Sequence, residues 1–211
     1  MKIDIWSDYA CPFCYIGETR LNKALAELDI KDETELNYRN FQLNPQATSH
    51  PDKDINTLLA EKYGMTYEQA KMNNQSVMNE AKKSGLDYDF ENIKPNNTRM
   101  AHELTRYAAE FGKEEAMAEV LFSAYFEKGI DIGLKDNLVQ LAREVGLDQT
   151  KALEALDQER YKEVVLKDQD LASSLGVSSV PFFVIEDQYS ISGAQSQEYF
   201  NQVIRDLNTK I

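Results

Sequence analysis

The chain has only two cysteines, two histidines and one tryptophan among its 211 residues. Its cysteines, Cys11 and Cys14, are separated by just two residues, so no disulfide framework can hold the fold, and so short a loop would scarcely constrain the unfolded chain. Positive charge is also scarce. With 23 Lys and Arg against 36 Asp and Glu, the formal net charge is -13. Such a surface repels polyanions, which argues against nucleic acid and anionic lipid as partners held by bulk electrostatics. No apolar run is long enough to cross a bilayer, and no basic, apolar and small-residue succession of a secretory signal opens the chain. A cytoplasmic address without a membrane partner is therefore expected. The sequence shows neither internal repeats nor low-complexity tracts.

What remains is ordinary globular material, 42% hydrophobic and 28% charged, in a chain long enough to bury a core unaided. Lys2 to Trp6 alternates as a strand does. Cys14, Leu21, Ala24, Leu25 and Leu28 then share one helical face, which predicts a helix from Pro12 to Leu28. Glu35 to Leu43 reads as a second strand closed by Asn44-Pro45. A long helical stretch opens after the polar segment His50-Pro51-Asp52-Lys53-Asp54. Its apolar stripes are Met100, Leu104, Tyr107, Ala108 and Phe111, then Met117, Val120, Leu121 and Ala124, then Leu138, Leu141, Ala142 and Val145. Breaks fall at Lys94 to Asn97, Gly112, Gly129 to Gly133, and Gly146. Charged runs such as Lys113-Glu114-Glu115 read as solvated faces. Pro181 to Ile185 and Tyr189 to Ser192 form a hairpin across Asp187-Gln188, and a last helix carries Phe200, Val203, Ile204 and Leu207. The order predicts an α/β unit, residues 1–50 and 176–211, interrupted by an all-helical insertion, residues 51–175.

A cysteine pair with this spacing, after a strand and at a helix start, points to thiol chemistry. The thiolate attacks disulfides, so an exchange enzyme needs one cysteine whose ionised form is favoured. Cys11 is placed for this, facing unpaired N–H groups and the positive end of the helix dipole. Pro12 suits the first helical position because its missing N–H has no partner to lose there. Cys14, one turn on, is near enough to resolve a mixed disulfide. The pair is also half a zinc site, but only His50 and His102 remain as further nitrogen ligands and their spacing is wrong for a finger. No metal and no cofactor are expected.

The segment Trp6-Ser7-Asp8-Tyr9-Ala10-Cys11-Pro12-Phe13-Cys14-Tyr15-Ile16-Gly17 resembles the active-site segment of DsbA-like proteins, in particular the FrnE-like branch. Phe41 to Pro45, Ala101-His102, Ala124 to Phe126, Asp131-Ile132, Gly146 to Asp148, Gly176 to Phe183 and Ser192 to Gln195 resemble that family's further landmarks, over nearly the whole chain. The resemblance implies a thioredoxin-like fold with a helical domain inserted after the second strand, and a cis proline opposite the cysteines. Val180-Pro181 matches that position, and Val180 would then offer main-chain groups to an extended substrate peptide. Phe13 stands where many FrnE-like members have Trp and the secreted oxidase has His, so a charged residue that stabilises the thiolate is missing. Asp4 resembles the buried acid of thioredoxins, which would relay a proton for Cys14; a solvent-facing Asp4 is the alternative. His102 matches a landmark lining the interdomain cleft, with a packing role as the alternative.

The function this implies is thiol-disulfide oxidoreductase or isomerase action on protein or low-molecular-weight disulfides, with the insert serving as substrate roof or as a homodimer face. A rival follows from the architecture's resemblance to kappa-type glutathione transferases and hydroxychromene-carboxylate isomerases, which typically carry Ser where Cys11 stands. A third reading is a non-enzymatic adaptor that presents a thioredoxin-like groove to a protein partner.

Overall fold

The computed structural model describes residues 1–48 and 53–208. His50, Pro51 and Asp52 of the polar segment lie outside the described residues. Strand β1 (Lys2–Ser7) pairs in parallel with β2 (Glu35–Asn40) and antiparallel with β3 (Phe182–Ile185), which pairs antiparallel with β4 (Tyr189–Ser192). The sheet order is β2-β1-β3-β4. Helix α1 (Pro12–Glu27) connects β1 to β2, and α9 (Gln197–Asn208) follows β4. Between β2 and β3 lie α2 (Ile55–Tyr63), α3 (Tyr67–Lys83), α4 (Arg99–Ala109), α5 (Glu114–Phe126), α6 (Lys135–Glu144), α7 (Gln149–Asp157) and α8 (Lys162–Ser174). The α/β fold with a helical segment after the second strand is the architecture expected from the sequence.

Period-two alternation decides what each sheet face sees. Ile3, Ile5, Phe183 and Ile185 are buried on the face covered by α1 and α9, where Phe183 packs edge-on against Phe200 at 5.2 Å. Asp4 and Trp6 have the opposite parity. The Trp6 indole donates to the Asp168 carbonyl on α8 at 3.4 Å, so α8 covers the other face. Each fully buried aliphatic side chain in this core contributes about 1.5–3 kcal/mol.

Helix α1 ends one residue earlier than the apolar stripe predicts, with Leu28 as its C-cap. Asp29 takes the left-handed conformation (φ 56°), and its N–H and that of Ile30 bond back to Ala26 and Leu25, closing the last turn as a Schellman motif does. Strand β2 also falls short of the expected Leu43, because side chains capture the next amides: Gln169 accepts from Gln42 N–H at 2.7 Å and Asp8 from Leu43 N–H at 2.8 Å. Of the helical stripes, Phe111 lies past the end of α4 and is exposed, while Met100, Val120 and Val145 are only half-buried. The run Lys113-Glu114-Glu115 is half-buried instead of solvated, since Glu114 pairs with Arg106 at 2.7 Å and Glu115 with Lys31 at 2.5 Å. Lys113 donates to the Val145 carbonyl at 2.7 Å.

Candidate active site

The end of β1 delivers the chain into a turn in which Cys11 N–H donates to the Asp8 carbonyl at 2.9 Å. Cys11 is the N-cap of α1, with extended backbone (φ -97°, ψ 110°) and Pro12 following at the helix start. Its thiol donates to the Val180 carbonyl at 3.6 Å. The Val180-Pro181 peptide is cis, and both residues are buried beside the cysteine turn. Gly17 allows this approach, because a Cβ there would stand 3.0 Å from Pro181 Cγ and 3.3 Å from Phe183 Cζ.

Both cysteines are free thiols. Cys14 is completely buried, and its sulfur accepts from Asp8 N–H at 3.5 Å. Burial, and after it the neighbouring Cys11 thiol, push the Cys14 pKa well above the ordinary thiol range, while the Asp8 amide and the Ser7 hydroxyl pull the other way. The two sulfurs are therefore in contact but in unlike surroundings. One sits at a helix terminus beside the Val180 carbonyl and the other is sealed behind it.

Three further groups close around the pair. Asp8 is buried and accepts from Thr98 Oγ1 at 2.7 Å, Ala10 N–H at 3.2 Å and Leu43 N–H at 2.8 Å. Burial pushes its pKa up, but His102, the Leu43 amide and Thr98 outweigh burial and hold it below the usual value. His102 places Nε2 3.5 Å from Asp8 Oδ1, close enough for charge attraction but short of a well-formed hydrogen bond, and its ring lies 4.8 Å from that of Tyr9. Tyr88 donates from its hydroxyl to the Pro12 carbonyl at 2.7 Å and stacks on Phe126 at 4.7 Å, which ties the cysteine turn to the helical segment.

A sequence model of the DSBA-like thioredoxin domain matches residues 2–205. The chain belongs to this family. This DSBA-like protein is 30% identical over 212 residues to the uncharacterized protein YwbO of Bacillus subtilis (strain 168), covering 100% of this chain and 98% of YwbO. Among solved structures it resembles a probable DsbA oxidoreductase from Streptomyces coelicolor at 34% identity and a TM-score of 0.88, covering 98% of this chain and 89% of that one. A 2-hydroxychromene-2-carboxylate isomerase shares the fold at 16% identity and a TM-score of 0.74, covering 100% of this chain and 97% of that one.

The structure brings Cys11, Cys14, Pro12, Val180 and Pro181 together. Phe13 lies on the rim, 43% exposed, with no charge to lend the pair. His102 reaches the site only through Asp8 and Tyr9. Asp4 is not brought to the cysteines. It is buried, but it occupies the α8 face of the sheet, where its carboxylate meets Arg39 at 3.1 Å and Lys2 at 3.4 Å. On the cysteine side stand two other buried acids, Asp8 in the turn and, on α1, Glu18, which accepts from Ser7 Oγ at 2.6 Å. Its helical spacing is a usable signal, since Glu18 falls four residues after Cys14 and three before Leu21 on the buried stripe. Among the described residues, no group of three or more His, Cys, Asp or Glu side chains is arranged to hold a metal ion.

Proposed function

We propose that this DSBA-like protein is a thiol-disulfide oxidoreductase and isomerase that acts on protein or low-molecular-weight disulfides through Cys11 and Cys14. The observation that carries this reading is the pairing of a helix-capping thiol beside the Val180 carbonyl with a buried thiol in contact behind it. Cys11 thiolate attacks one sulfur of a substrate disulfide, forming a mixed disulfide and expelling the other sulfur as a thiolate. Cys14 thiolate then attacks Cys11 Sγ, forming the Cys11-Cys14 disulfide and releasing the remaining substrate thiolate. Two electrons pass to the substrate, and an external thiol such as glutathione restores the dithiol. When the substrate thiolate returns to attack before Cys14 does, the same intermediate gives isomerisation.

Phe13 adds no charge that would stabilise a thiolate, so the couple is assigned an intermediate potential, with reduction as its direction in a reducing cytoplasm. The shared fold with the isomerase leaves the rival chemistry open to the fold alone, but a site that only activates bound glutathione has no use for a buried resolving thiol. Insulin reduction and refolding of scrambled ribonuclease are the test. Wild type is active, Cys11→Ser is inactive, and Cys14→Ala accumulates a mixed disulfide visible by intact mass. Equal rates for wild type and Cys11→Ser refute the proposal.

A further inference from the structure

Helix α4 turns a polar stripe inward. Thr98, its N-cap, and His102 and Thr105, four and seven residues further on, share one helical face, and all three are buried. An N-cap threonine ordinarily spends its hydroxyl on its own helix. Thr98 does not cap α4; its hydroxyl donates to Asp8 Oδ1 at 2.7 Å. Among the described residues His102 Nε2 has no hydrogen-bond partner, and it faces the same Asp8 oxygen at 3.5 Å. The Thr105 hydroxyl meets that of Tyr9, the next residue of the cysteine turn. Three buried polar groups at helical spacing thus converge on two neighbouring residues of another element, where apolar side chains of the same shape would cost less to bury.

What they grip is the peptide that serves both cysteines. The Asp8 N–H donates to Cys14 Sγ at 3.5 Å, and the Asp8 carbonyl accepts from Cys11 N–H at 2.9 Å. The carboxylate is held from two further sides, by Ala10 N–H on Oδ1 at 3.2 Å and Leu43 N–H on Oδ2 at 2.8 Å, but neither of these comes from a helix of the inserted segment. An N–H aimed at sulfur favours a thiolate over a thiol, and over a disulfide sulfur, which is the poorer acceptor. Resting on the disulfide-exchange reading, we infer that the Thr98-His102-Thr105 face of α4 is a positioning element for the resolving step: it holds the Asp8 amide on Cys14 Sγ, which quickens attack by Cys14 and makes the Cys11-Cys14 disulfide easier to reduce. The three side chains act through Asp8 and Tyr9, so they are positioning residues and not catalytic ones. The helical segment thereby braces the buried thiol of a site built on the sheet.

The test reads the two halves of the reaction apart. Reduced protein is mixed with oxidised glutathione in a stopped-flow instrument at one fixed pH, and formation of the Cys11-glutathione disulfide is followed separately from its displacement by Cys14. Thr98→Val keeps the shape of the side chain and removes the donor. Displacement is expected to slow about fivefold or more, and the equilibrium with glutathione to shift about as far toward the Cys11-Cys14 disulfide. Thr98→Ser, which keeps the hydroxyl, is expected to stay within about twofold of wild type. In an Asp8→Ala background displacement is already slow and Thr98→Val slows it no further, because the effect travels through that carboxylate. Thr98→Val that is weakened in urea yet displaces glutathione within about twofold of the wild-type rate makes the stripe merely structural and overturns the inference. Full slowing by Thr98→Val on top of Asp8→Ala overturns it as well. Should Asp8→Ala fail to fold, the contrast between Thr98→Val and Thr98→Ser decides, and equal rates in those two sink the proposal. Equal insulin reduction by wild type and Cys11→Ser would instead refute the exchange reading itself.

Discussion

Glu18→Gln is expected to make the folded protein more resistant to alkali. In the unfolded chain the carboxyl ionises at its ordinary value of 4.5, and in the fold it ionises at about 8, mainly because it is buried, with the Ser7 hydroxyl pulling the other way. Between those values the folded state keeps a proton that the unfolded state has released, so stability falls as pH rises. The contribution is complete below about pH 4.5 and is lost as pH passes through about 8. At about 1.4 kcal/mol for every tenfold change in proton affinity, the gap from 4.5 to about 8 amounts to something on the order of 5 kcal/mol. That is an upper figure, because local relaxation and water entry soften the burial, yet it is comparable with the whole stability of a typical domain, about 5–15 kcal/mol. The assay is urea unfolding of the reduced protein at several pH values, comparing wild type with Glu18→Gln. Other ionisable groups are common to both chains, so the difference between the two curves isolates this one. Wild type should lose several kcal/mol relative to the variant from pH 5 to 9. A difference that stays flat to within about 1 kcal/mol refutes the argument that burial holds a proton on Glu18.

Two other substitutions probe what holds the site. Asp168→Ala removes the buried carboxylate that accepts from Asn40 N–H at 3.1 Å and from the Asn40 side chain, and that faces the Arg39 guanidinium at 3.6 Å as an ion pair. A loss of about 3 kcal/mol or more is expected in chemical denaturation, since the Asn40 amide is left unpaired at the end of β2; a loss below about 1 kcal/mol refutes this. Gly17→Ala would gain about 1 kcal/mol of helix propensity, but its methyl meets Pro181 at 3.0 Å, Phe183 at 3.3 Å and the Ala194 backbone at 3.4 Å. Net destabilisation of about 1–3 kcal/mol and slower insulin reduction are expected, and a variant as stable and as active as wild type refutes the close-approach argument.

Features encoded within a few residues are legible in the sequence. The cysteine pair, Pro12 at the helix start, the apolar stripe of α1 and the β3-β4 hairpin are all local patterns, and the structure has them. Placing Val180-Pro181 against Cys11 takes the family resemblance, because 169 residues separate Val180 from Cys11. The alternation of Glu35 to Leu43 overshoots the end of β2 for a related reason: that end is set by Asp8 and Gln169, which lie far from it in sequence and leave no mark on the pattern. Glu18 is hard to find because an acid on a helix usually faces water, and its donor Ser7 belongs to another element. Asp4 stands out as an acid near the cysteines, but its parity opposes that of Ser7. Counting along β1 places Asp4 on the α8 face.

Asp8 and Glu18 are both sealed carboxyls beside the same dithiol, and burial works to raise both pKa values. What separates them is the number of donors. Asp8 collects two backbone amides, a hydroxyl and the attraction of His102, enough to keep it ionised. Glu18 has the Ser7 hydroxyl, with Lys31 acting from a distance and largely occupied by Glu115, so burial wins and the proton stays on until about pH 8. An acid ionised across the whole working range fastens the turn that carries the cysteines but has no proton to trade. The poorly solvated acid, with the Ser7 hydroxyl as its donor, changes its protonation at about pH 8 instead.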